Sequence, residues 1–145
     1  MQLHIDNIPD NILSLPLVYQ TQKIEFFYDE SQSLLVSWAK KFSNDEEYRE
    51  NMLKCLDLVQ KNQIKKIIFE SSRFKGTSSE NQKWIMDFMV PSWAAAGTTR
   101  IGSVLPLEMF GKFSINNMIQ GALTLGLVEI KPFTNFEECY KWINS

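Results

Sequence analysis

The chain has 145 residues, with 15 Lys plus Arg against 17 Asp plus Glu, for a formal net charge of −2. At 44% apolar and 22% charged residues, with six Gly and five Pro, the composition is that of one globular domain, which excludes disordered and collagenous classes. A chain of this length buries roughly 68–70% of its unfolded surface, so its core needs no disulfide staples.

Residues 1–22 carry Pro9 and Pro16 without a sustained period. They read as an irregular arm or as an extra strand at Leu17-Val18-Tyr19, leaving 23–145 as the domain proper. From Ile24 the apolar positions Ile24, Phe26 and Tyr28 alternate, Asp29-Glu30-Ser31-Gln32 punctuates, and Leu34-Leu35-Val36-Ser37-Trp38 runs apolar. This predicts a β-hairpin with a four- or five-residue turn. Ser43-Asn44-Asp45-Glu46 reads as a capping box, with Ser43 as cap, and opens a first helix. Tyr48, Met52, Cys55, Leu56 and Val59 then fall on one helical stripe, which buries Cys55.

Ile67-Ile68-Phe69 is a short continuous apolar run, the pattern of a central strand covered on both faces, and it implies a parallel sheet. Thr77-Ser78-Ser79-Glu80 reads as a second capping box ahead of Trp84, Ile85, Phe88 and Met89 at helical spacing. Pro91 interrupts or restarts that helix, and Gly97 ends it. Ile101 to Leu105 is a strand. Ser114 is placed to cap a third helix that carries Ile115, Met118, Ile119, Ala122 and Leu123 on one face and ends at Gly126. Val128 to Lys131 alternates, and Pro132 assigns that strand to an edge. Thr134-Asn135-Phe136-Glu137 is a further capping box opening a terminal helix with Phe136, Cys139, Tyr140 and Ile143 inward. The order β-β-α-β-α-β-α-β-α predicts an α/β fold. Its single-layer mixed sheet has about five strands, an N-terminal β-hairpin followed by βαβαβα units.

Five short segments carry a resemblance: Trp38 ending the second strand, Glu46-Glu47-Tyr48-Arg49, Gln82-Lys83-Trp84, Ala96-Gly97-Thr98-Thr99-Arg100, and Phe136 through Ile143. With the element order and lengths, they make residues 23–145 resemble the SpoIIAA-like fold of STAS domains, the anti-sigma-factor antagonists. More loosely, they resemble Sec14-type lipid-binding domains and small bacterial STAS/Sec14-like proteins. In STAS antagonists an Asp-Ser pair followed by a glycine opens the second helix, and a partner kinase phosphorylates the serine. Ser78 and Ser79 occupy that place here, with Thr77 or Ser78 in place of the Asp and Glu80 near the glycine position. The resemblance implies a non-enzymatic regulatory or protein-interaction module, switched by serine phosphorylation. The alternative it implies is Sec14-like binding of a small amphipathic or lipid-like ligand.

In open α/β sheets ligands sit beyond the carboxyl ends of the parallel strands. Three loops gather there, bringing Lys40, Lys41 and Phe42; Arg73, Phe74 and Lys75; and Met109, Phe110, Lys112 and Phe113. Cations beside aromatics suit an anionic group over an apolar tail, or a protein partner anchored by buried aromatics. Glu70, ending a central strand at that edge, and Trp84, in the second helix, complete the candidate set, and Met86 and Met89 beside Phe88 offer an adaptable apolar lining.

The excluded chemistries are plainer. His4 is the single histidine and lies in the arm, and no zinc-ligand spacing, glycine-rich nucleotide loop or P-loop is present. No catalytic residue, metal or cofactor is therefore expected. The lysine pairs Lys40-Lys41 and Lys65-Lys66 give no footprint for nucleic acid. No apolar run approaches a membrane span and no signal peptide precedes the domain, so a cytoplasmic location is expected. The partner is read as a protein or a small apolar or anionic ligand. The 128–131 edge or the aromatics of 109–113 leave room for a homodimer.

Overall fold

The computed structural model describes residues 9–145; His4 lies outside them. Six strands hydrogen-bond side by side in chain order: β1 (Leu17–Gln20), β2 (Ile24–Asp29), β3 (Leu34–Ala39), β4 (Lys66–Glu70), β5 (Arg100–Val104) and β6 (Glu129–Phe133). The β1–β2 and β2–β3 pairs are antiparallel, and β3 through β6 are parallel. The strand beyond the expected five is β1, which pairs Tyr19 with Phe26 and Gln20 with Glu25. Its weak alternation left no sequence signal beyond the short apolar run at 17–19.

Strand alternation sorts the sheet into two faces. Ile24, Phe26, Leu35, Ile67 and Ile101 look one way, toward α2 (Asp45–Asn62), the helix pair α3 (Ser79–Trp84) and α4 (Val90–Ala95), and α5 (Met109–Leu125). Phe27, Leu34, Val36, Ile68 and Val104 look the other way, toward α6 (Phe136–Ile143) and Ile12 of α1 (Asp10–Leu13). Between α3 and α4, residues Ile85–Met89 are wound as a π-helix. Pro91, the second residue of α4, has no N–H to return to the preceding turn, and widening that turn absorbs the lost hydrogen bond. The edge position of β6 accommodates Pro132, which stands opposite Ser103.

Every capping box is displaced by one residue from its expected place. The cap of α2 is Asn44, not Ser43: its side chain accepts from Glu47 N at 2.8 Å while Asn44 N donates to Glu47 Oε1 at 2.9 Å. Lys23 holds the same Glu47 carboxylate at 2.8 Å, and this tertiary contact selects the later register. Ser78 caps α3 through Asn81 N, because the Thr77 hydroxyl is donated to Asp45 instead. Asn135 caps α6 through Glu138 N. The larger correction concerns α5, which starts at Met109 with Glu108 as cap, so Met109 to Phe113 are helical and not loop. Ser114 is fully buried one turn inside that helix, where its hydroxyl accepts hydrogen bonds from Thr77 N and Gln82 Nε2, both at 3.4 Å.

Candidate functional site

The row of residues nearest the carboxyl edge of the sheet runs Ser37, Phe69, Ser103 across β3, β4 and β5, on the face covered by three helices. The preceding row on this face is the bulky Leu35, Ile67 and Ile101; here Phe69 remains on β4, and small hydroxyl side chains stand on β3 and β5. The helices span the resulting gap without filling it, leaving a cavity of about 90 Å³. Phe69, Trp93, Ile115, Met118, Ile119 and Ala122 form much of its wall.

The polar groups in that wall are short of partners. Ser37 and Ser103 are 3% and 4% exposed, and neither hydroxyl hydrogen-bonds to any described residue. The Trp93 indole N–H finds no acceptor beyond a weak approach to the Cys55 sulfur. The Tyr48 hydroxyl donates only to Met118 Sδ at 3.8 Å, and burial pushes the phenol well above its ordinary range, so it stays a neutral donor. Buried polar groups are normally paired. By the same measure a cavity holds a water at about 10–15 Å³, so this one admits several waters or a small organic group.

Lys41 and Phe42, in the β3–α2 loop, are the exposed part of the wall and mark its mouth. The same two residues also border an outer surface pocket of about 360 Å³, shared with Lys40, Arg73, Lys75 and Glu108. Lys40 is held by Glu25 at 2.6 Å, and Arg73 donates to the Lys40 carbonyl at 2.9 Å. Lys41 and Lys75 make no ion pair among the described residues, and Glu108 accepts from Gly111 N at 2.7 Å as the α5 cap.

The structure divides the sequence-derived residues. Phe74 lies in the cavity wall with its ring 5.5 Å from Tyr48, and Arg73 and Lys75 line the outer pocket. Phe110 lies on Gly76, where a Cβ would overlap its ring, and the Phe74 carbonyl lies where a Cβ on Gly111 would be; these contacts join the β4–α3 loop to α5. Phe113, Lys112 and Met109 are exposed on α5 away from the cavity wall, and Leu107, exposed before α5, borders the outer pocket. Glu70 is buried and stands in register with Trp38 and Val104, so its side chain points to the opposite face. Its Oε1 accepts from Ser72 N and Ser72 Oγ, and Oε2 has no partner among the described residues. Trp84 lies outside the cavity, with the Arg49 guanidinium 4.7 Å above its ring. Met86 packs against Gly121 of α5 and Met89 is core, so neither of these two methionines lines the cavity.

Ser78 and Ser79 stand at the outer end of a polar latch between α2 and α3. Asp45 Oδ1 accepts from Thr77 Oγ1 at 2.9 Å and from Ser78 N at 3.2 Å, and Asn81 Nδ2 donates to Asp45 O and Thr77 Oγ1. The Thr77 hydroxyl, followed by the Ser78 amide, lowers the Asp45 carboxyl below its usual range. Ser79 is exposed at the first position of α3. Sequence reasoning missed Ser37 and Ser103 as site residues. Their signal was a hydroxyl at a core-facing position of an otherwise apolar strand.

Among the described residues no helix is long and apolar enough to cross a membrane, and no group of three or more His, Cys, Asp or Glu is placed to hold a metal. No protein-family pattern and no curated protein matches the sequence. Among solved structures, a protein of the DUF3478 family from Shewanella loihica PV-4, described as having a SpoIIAA-like fold, superposes with a TM-score of 0.55 at 15% identity. The match spans 88% of this chain and 99% of that one, and the mixed sheet and its helices thus form a SpoIIAA-like fold.

Proposed function

We propose that this protein is a non-catalytic binding module that takes a small, mainly apolar molecule bearing a hydrogen-bonding group into the cavity beneath α2, α3–α4 and α5. The observation that carries this reading is the pair of buried hydroxyls, Ser37 and Ser103, facing a void with no hydrogen-bond partner among the described residues. An apolar ligand body would satisfy the wall by contact, and one polar atom would satisfy the hydroxyls. Ala122, fully buried in the wall, gives the test. Ala122→Leu adds three carbons where there is room for them, so the variant folds with stability within about 1 kcal/mol of the parent. Native mass spectrometry of protein purified from its own host then shows an added mass on the parent and none on the variant. A bare mass on both, with no small apolar compound bound by the parent in solution, rejects the reading.

A second reading, a regulated protein-interaction module acting in the cytoplasm, draws on the latch. Phosphate on Ser78 would replace a helix cap and face the Asp45 carboxylate, so repulsion would release α3 from α2. In-cell phosphorylation and partner capture that survive Ser78→Ala with Ser79→Ala remove this reading.

A further inference from the structure

The cavity and the outer pocket are both lined by Lys41 and Phe42 and so adjoin, which sets a ligand seated in one beside the other. The outer pocket has a strong charge bias in a chain whose net charge is negative. Among the described residues, Lys40, Lys41, Arg73 and Lys75 border it with the carboxylate of Glu108. Glu108 is committed to the first turn of α5, and Glu25, from β2, neutralises Lys40. Lys41 and Lys75 keep their charge without a carboxylate partner among the described residues. Inside, the volume is below the ~150 Å³ of an apolar cavity that accepts benzene, so only a short tail fits.

Resting on the cavity reading above, we propose that the ligand is a short-chain amphipathic anion, its tail in the cavity with a polar atom on Ser37 and Ser103 and its acid group outside between Lys41 and Lys75. A neutral ligand of the same length would use the inner wall alone and leave both lysines unengaged. The acid group adds attraction that salt screens, because the outer pocket is open to water.

The experiment compares hexanoate with 1-hexanol by titration calorimetry and amide chemical shifts at pH 7 and low salt. Hexanoate binds about three- to tenfold more tightly than 1-hexanol, as two exposed ion pairs allow. The preference disappears in Lys41→Gln with Lys75→Gln and in high salt. Equal affinity for acid and alcohol, or a preference that survives the double substitution, overturns the anionic assignment and leaves the cavity reading standing. Binding of neither compound overturns the cavity reading itself. A parallel sedimentation with phosphatidylglycerol and phosphatidylcholine vesicles separates the two sources of such an anion. Lysine-dependent capture by the anionic vesicles, without a hexanoate preference, would place the acid on a lipid headgroup and overturn the free-acid source.

Discussion

Beneath α6 the sheet closes completely: Gly102 presents no side chain, the Cys139 sulfur stands where its Cβ would be, and Phe136, Cys139 and Ile143 are at most 1% exposed. Burial pushes the Cys139 thiol up to about 12, with the Glu70 carboxylate adding to the effect, so Cys139 serves this face as an apolar filler. Across the same strands, one residue further along, Ser37 and Ser103 are smaller than the space allows, and they line the cavity left beneath the helices. The contrast lies in what stands opposite the small residue. A gap in a strand becomes packing where the facing helix supplies an atom, and it becomes a cavity where the helices do not, as here between Trp93, Met118 and Tyr48.

Substituting the small residue on the closed face gives the largest expected effect. Gly102→Ala overlaps the Cys139 sulfur in a central strand and costs about 2–3 kcal/mol in denaturant unfolding. A loss below about 1 kcal/mol would mean that α6 can move off the sheet, and the two faces would no longer differ in kind.

The open face relies more on polar contacts at its rim, and Asp45 tests that dependence. Asp45→Ala removes two hydrogen bonds to the α3 start, one of them from the buried Thr77 hydroxyl, and costs about 1 kcal/mol after allowance for solvent at this exposed carboxylate. Amide exchange should rise from Thr77 through Met89 while α6 stays protected. Because the folded carboxyl lies below its unfolded value, its contribution is complete above the ordinary carboxylate range of about 4 and fades as pH falls through the lowered folded value. The parent should therefore show the same selective loosening in acid. Uniform exchange over both faces would show that Asp45 supports the whole fold and not the rim.

Most of the architecture was legible because it rests on periodicities that tertiary structure did not override. The Leu34–Trp38 and Ile67–Phe69 runs, the stripe from Tyr48 to Val59, and the glycines at 97 and 126 all specify local geometry that the sheet merely assembles. The helix starts were harder, since at each capping box the sequence offered several acceptors and a distant residue chose among them. Lys23 fixed Glu47 at α2, and Asp45 took the Thr77 hydroxyl at α3. Ser114 was read as a cap because a serine before an apolar stripe usually is one; the Gly111 approach to the Phe74 carbonyl shows why α5 begins earlier. Of the site, the cations and Phe74 could be read from loop composition, whereas the cavity could not. A void is the absence of an atom from a distant helix, and a single chain of letters does not register it.

The smallest expected effect separates a binding void from a hydrated structural one. Ser37→Ala with Ser103→Ala removes two hydroxyls that have no partner among the described residues, so the cost of burying them unpaired is removed along with them. Stability should change by less than about 1 kcal/mol, toward greater stability if either sign is resolved. Affinity for 1-hexanol should fall, because its hydroxyl loses its inner contact, whereas hexanoate, whose acid group lies outside, should change little. If instead the double variant loses about 2 kcal/mol or more, both hydroxyls must be held by buried water that ties the sheet to the helices. The cavity would then be a filled joint, and the two faces of the sheet would differ only in whether sulfur or water does the packing.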